Sequence, residues 1–173
     1  MSMNISDFAR LGQVYTGQTT ASGLVTGLST TATGLIINNP FGSTKNLLMF
    51  DACAAVSANP ATYAEVMISV SSAISAVAHA TTTSAGLIQA AKVGSGSGLS
   101  VAQLFTISTL PVVNQNYKTV PGAVTTAGTS TPTFYSKLDG TLIVVPGTYV
   151  MFSFTTTAYN AQMSFTWAEV PQF

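Results

Sequence analysis

Few side chains in this sequence can carry chemistry. It holds one histidine, His79, one cysteine, Cys53, and five carboxylates, at Asp7, Asp51, Glu65, Asp139 and Glu169. Nucleophilic catalysis by serine or cysteine needs a histidine oriented by a third group. His79 lies between Ala78 and Ala80 with no carboxylate within a dozen residues, which fits a structural imidazole better. Zinc ordinarily recruits several His or Cys ligands, and these two residues cannot supply a site within one chain. Two carboxylates about 5–9 Å apart would serve a glycosidase, but the five are dispersed and no pair stands out. Asp139 is accounted for by a turn with Gly140. The run Val93-Gly94-Ser95-Gly96-Ser97-Gly98 lacks the Gly-Lys-Ser/Thr that closes a phosphate loop and continues Leu99-Ser100. It reads as a flexible loop. The chain is expected not to be an enzyme, and no metal or cofactor is expected.

The elements around these residues read as β-structure. Thr, Val and Ile are abundant, and β-branched side chains suit a pleated, half-buried surface. Turn signals recur at short spacing, at Asn39-Pro40-Phe41-Gly42, Asn59-Pro60, Val120-Pro121-Gly122, Asp139-Gly140 and Pro146-Gly147. Strands are expected over 31–38, 45–56, 63–72 and 101–110, and also over 73–91, where alanines would tolerate a helix as well. In the last third, 134–138 and 141–145 read as a hairpin closed by Asp139-Gly140. Pro146-Gly147 turns the chain into 149–156, and 162–170 forms the final strand of a four-strand antiparallel run. There Val150, Phe152 and Phe154 share one face, as do Met163, Phe165, Trp167 and Glu169. Residues 111–132 read as a long polar connection. The fold class expected is all-β, an antiparallel sandwich of the jelly-roll or Greek-key type. Residues 1–20 are expected to form an N-terminal arm and 21–173 a single β-sandwich domain. In the arm, Ile5, Phe8 and Leu11 are spaced along one short helical face.

Charge supplies the strongest functional constraint. Charged residues make up 6 % of the chain, five cations against five anions, where roughly 25 % is usual. Apolar residues stand at 47 %, so low charge here does not signal disorder. Nucleic-acid binding needs several phosphate-neutralising cations, and no two of the five lie close in sequence. No apolar run of about 18 residues offers a membrane span, and Met1 to Arg10 lacks the apolar core of a signal peptide. A lone cysteine permits no intrachain disulfide. Synthesis in the cytoplasm is the expectation. A surface this poor in charge suits burial against other subunits, because contacts there leave few charges to desolvate.

Three stretches resemble small bacteriophage structural proteins: Asn39-Pro40-Phe41-Gly42-Ser43-Thr44-Lys45-Asn46-Leu47, the run from Asp139 to Tyr149, and the closing Phe165-Thr166-Trp167-Ala168-Glu169-Val170-Pro171. Proteins of this texture resemble jelly-roll decoration (cement) proteins of capsids, or parts of head and tail fibres. The resemblance implies a homotrimer seated on the major capsid protein of a virion, with no catalytic residues to carry over. Expected contact residues are Ile5, Phe8 and Leu11 in the arm, with Trp167 and Phe173 in the terminal segment. The alternative expectation is a head- or tail-fibre module that binds a host glycan through exposed aromatics near polar loop residues in 94–98 or 111–132. Phe152, Phe154, Phe165 and Trp167 could stack on a sugar, but their alternate spacing more simply makes them core or subunit-interface residues.

Overall fold

The computed structural model describes residues 4–21, 23–56, 64–84, 86–94, 99–124, 133–155 and 159–172. Asn59-Pro60, most of the glycine–serine run and Phe173 lie outside the described residues. A short helix, α1 (Ile5–Arg10), precedes the strands β1 (Val14–Thr19), β2 (Gly23–Val25), β3 (Thr31–Asn39), β4 (Lys45–Val56), β5 (Ala64–Ser71) and β6 (Ala80–Thr83). Then follow β7 (Gly86–Ala90), β8 (Gln103–Thr109), β9 (Asn114–Val124), β10 (Thr133–Val144), β11 (Thr148–Phe154) and β12 (Tyr159–Pro171). The first sheet runs β10-β4-β12-β1-β7, with β2 continuing past β1 along β12. The second runs β6-β8-β3-β11-β5-β9.

Four antiparallel pairings nest inside one another: β1 with β12, β3 with β11, β4 with β10, and β5 with β9. Successive pairs alternate between the sheets, as they do when one long hairpin is rolled up. That is the jelly roll, and the all-β sandwich expected from the sequence is the fold observed. Strands β6, β7 and β8 form an insertion between β5 and β9. It widens both sheets, placing β7 beside β1 and β8 beside β3.

The core forms where inward-facing rows of the two sheets meet. Phe152 of β11 stacks on Phe165 of β12 with ring centroids 4.5 Å apart, and Tyr15 lies 6.2 Å from Trp167. Trp167, Phe165, Leu35, Ile37, Leu47 and Met49 are fully buried, each side chain worth roughly 1.5–3 kcal/mol against exposure. Strand β11 is covered on both faces. Its other face carries Tyr149 and Met151 into a smaller cluster with Ile36 and Leu110 on the outside of the second sheet.

Three local expectations change. Asp139-Gly140 is no hairpin turn: both residues adopt left-handed φ, +50° and +76°, within one continuous strand. The same two conformations serve a bulge, and twelve-residue β4 is long enough to pair on both sides of it. Lys137 opposes Asp51 and Leu142 opposes Met49, while the Thr141 hydroxyl closes the bulge on the Leu138 carbonyl at 2.6 Å. The last three strands do not form a meander, since Pro146-Gly147 carries the chain from the first sheet to the second. Residues 114–124, expected to be irregular, form the edge strand β9, where Pro121 falls in a register shift and needs no ladder partner.

At the N-terminus, Asn4 Oδ1 accepts from the amides of Ser6 and Asp7, and Asp7 Oδ2 accepts from the Asn4 amide, a capping box. The helix lays Phe8 on Val14 and Ala168, 6.1 Å from the Phe50 ring. Within the expected arm of residues 1–20, Ile5–Arg10 is thus a helix that docks on its own chain and Val14–Thr19 a strand of the sandwich.

Gly86 shows how tightly the insertion is seated. A Cβ there would lie 2.6 Å from the Gln18 carbonyl oxygen and against the Leu104 side chain, so β7 and β1 must separate to admit one. Gly86→Ala is expected to lower stability by about 1–3 kcal/mol, read as a shift in the urea unfolding midpoint.

Candidate functional site

Glu169 is the one carboxylate buried among the described residues, at 1 % exposure, and follows Met163, Phe165 and Trp167 on the inward face of β12. Its Oε2 receives Lys45 Nζ at 2.9 Å, and its Oε1 accepts from the Ser100 hydroxyl at 2.6 Å and the Val101 amide at 2.9 Å. The carboxylate ties the start of β4 and the segment before β8 to the end of β12. Burial, and then the Glu169 charge, push the Tyr15 hydroxyl pKa above its usual range. Three donors occupy the two oxygens, so the group is a structural latch rather than a free acid or base. Asp51 lies half-buried on the outer face of the first sheet, where burial raises its pKa against the opposing hydrogen bond from Thr166. Cys53, on the same face, has its thiol pushed up by burial and then by Asp51, away from the reactive thiolate. No group of three or more His, Cys, Asp or Glu that could hold a metal occurs among the described residues.

His79 ends the irregular segment 72–79, part of the stretch expected to be strand. Its ring lies 5.1 Å from Phe105 and 5.2 Å from Tyr149, and Nδ1 is 2.8 Å from the Ser108 hydroxyl. Burial pushes its pKa down to about 4. No carboxylate accompanies it, so it forms no catalytic dyad with an orienting acid.

The surface feature that stands out is one end of the sandwich. Three turns converge there, the 40–44 turn between β3 and β4, the start of the β5–β6 segment, and the 145–147 crossover between β10 and β11. Asn39, fully buried, braces them by donating through Nδ2 to the carbonyls of Lys45 and Val144, both at 2.9 Å. The Gly147 amide donates to the Asn39 carbonyl and the Ser75 amide to the Gly147 carbonyl. Gly147 is required, since at φ +82° a Cβ would stand 2.8 Å from the Ser75 carbonyl oxygen. On this braced frame sit Phe41, Ile74 and Val77, 62 %, 61 % and 67 % exposed. They border an open cleft of about 620 Å³ and a smaller one of about 170 Å³, which share Phe41 and are lined by no Asp, Glu, Lys or Arg.

The contact residues expected from sequence fall differently. Phe8 is buried within its own chain, Ile5 is half-buried beside it, and Leu11 is exposed. Trp167 fills the core of its own chain and offers no surface to a neighbour. Phe152, Phe154, Phe165 and Trp167 are core residues, as their alternate spacing suggested, all at 1 % exposure or less, and they offer no platform to a sugar. Sequence reading missed Phe41, Ile74 and Val77. Phe41 carried a signal, an aromatic at the tip of an Asn-Pro-Phe-Gly turn, where no core can reach it. Ile74 and Val77 carried none. The total surface, 8173 Å², matches the roughly 8,000 Å² of a compact monomer of this size. Comparison with family models, with curated proteins and with solved structures gives no match for this chain.

Removing the latch should be costly. Glu169→Ala strands the Val101 amide and leaves Lys45 unpaired, with an expected loss of about 3 kcal/mol in chemical denaturation. A loss below about 1 kcal/mol would show that the three donors find other partners.

Proposed function

We propose that this chain is a non-enzymatic virion structural protein that decorates or cements a bacteriophage capsid. It is made in the host cytoplasm and acts through protein–protein contacts, with itself as a homotrimer and with the major capsid protein. The observation that carries the reading is the exposed apolar trio of Phe41, Ile74 and Val77 on a braced, charge-free end of a jelly roll. The sequence resemblance to phage decoration proteins and the scarcity of charge support the same reading.

Binding energy is the whole mechanism. Each of the three side chains contributes roughly 1.5–3 kcal/mol when buried by a partner, and association costs about 4–15 kcal/mol. A single copy would grip weakly. Joining three copies makes the second and third contacts intramolecular, which raises overall affinity by about 10²–10⁴. Uncharged lining residues keep the desolvation cost of the contact low. Contacts spread across capsomer boundaries would then resist expansion of the shell.

The test uses capsids depleted of the protein and re-supplied with purified chain. Saturable binding and a higher temperature of capsid disruption are expected. The variant Phe41→Ser, Ile74→Ser, Val77→Ser should unfold at an unchanged temperature yet bind at least about 100-fold more weakly. Depleted particles with unchanged heat resistance, or full binding by the triple variant, would contradict the reading.

A further inference from the structure

Residues 72–79 lie as a strap across the outside of the second sheet, and the attachments at its ends differ in kind. At one end the Ser72 amide donates to the Val113 carbonyl at 3.0 Å, and mid-strap the Ser75 amide donates to Gly147 at 2.9 Å. At the other end the His79 side chain is set against Phe105, Tyr149 and Ser108, one residue before Ala80 enters the β6–β8 ladder opposite Thr109. His79 Nδ1 and the Ser108 hydroxyl share one hydrogen bond at 2.8 Å, and the hydroxyl also lies 3.2 Å from the Thr109 carbonyl oxygen. Nε2, by contrast, is buried and has no hydrogen-bond partner among the described residues.

We propose that His79 is an acid-sensitive latch, whose protonation releases the 72–79 strap from the sheet. In the imidazolium both ring nitrogens carry protons, so an unpaired Nε2 N–H and a positive charge would stand where no acceptor among the described residues is in hydrogen-bonding reach. The elements packed around the ring offer no compensation. Strand β8 presents Phe105 and Ser108, the strap itself has no charged residue, and the adjoining cleft presents Asn38 and Gln103. From β11 the only titratable group is Tyr149, neutral and already donating to the Val112 carbonyl at 2.7 Å. The two aromatic rings give a cation at most a partial offset. A small cleft lined by Asn38 and Gln103 lies beside the strap, and residues 72–79 belong to no strand ladder, so they can lift while Ala80 stays paired with Thr109.

The direction follows from linkage. The unfolded or released imidazole titrates near 6.5 and the seated one near 4, so the seated strap binds fewer protons between those values. Its stability is full above about pH 6.5 and declines as the pH falls toward 4. Because the strap carries Ile74 and Val77, release would also dismantle the apolar end of the sandwich. That consequence alone rests on the proposed function; the latch does not.

Hydrogen exchange of the 72–79 amides at pH 7 and pH 5, expressed as protection factors, tests the latch directly. Wild-type protection should fall by at least about tenfold at pH 5, while β4 and β12 stay protected. His79→Phe keeps a ring without a titratable group and His79→Gln keeps a polar side chain. At least one of them should hold strap protection constant between the two pH values. Unchanged wild-type protection, or the same fall in both variants, would overturn the latch. Capsid binding measured on the same samples separates the two readings, since strap release without loss of binding would count against the end surface only.

Discussion

With five cations and five anions in 173 residues, this protein must wet its exterior with hydroxyl, amide and apolar groups. Everything else in the structure is arranged around that shortage. Of the few charges, Glu169 and Lys45 are used inside the fold to pin strand ends, and Lys137 and Asp139 pair across a bulge at 3.1 Å on an edge strand. Charges at a sheet edge discourage pairing with other edges. What remains at the end formed by the 40–44, 72–79 and 145–147 segments carries no ionic group, and there the apolar side chains stand exposed.

The nested strand pairs explain why that end can be both rigid and apolar. In a rolled hairpin the first and last long strands lie side by side, so β12 meets β4 along eleven register positions and β1 along five. Trp167 and Phe165 fill the interior from this strand, and Glu169 fastens its end beside Lys45. The turns above inherit a fixed base, and Asn39 spans them from beneath. Phe41 is therefore held out in solvent by a frame that gives it no inward place to turn.

The strand pattern was legible because the core is built on strict alternation. Met163, Phe165, Trp167 and Glu169 face inward as their spacing requires, and Phe152 meets Phe165 for the same reason. The sheet to which each strand belongs was not legible. Asp139-Gly140 states only that two residues need left-handed φ, and whether they close a hairpin or form a bulge depends on the length of β4. The polar residues of β9 read as a connection because edge strands show little apolar alternation. At the candidate site, Phe41 was marked by its turn. Ile74 and Val77 are exposed only because the Ser75 amide and His79 hold the strap across the sheet, a tertiary outcome that no local pattern encodes. Trp167 was misjudged as a contact for the opposite reason, since proximity to a terminus says nothing about depth in the core.

The account stands on the claim that a charge-free apolar end is meant to be covered by another protein. Sedimentation velocity of the purified chain over a wide concentration range, alone and with depleted capsids, measures this most directly. A discrete oligomer that transfers onto the shell is the result the account predicts. A lone, freely soluble monomer at the highest concentration, with no affinity for any shell, would contradict it.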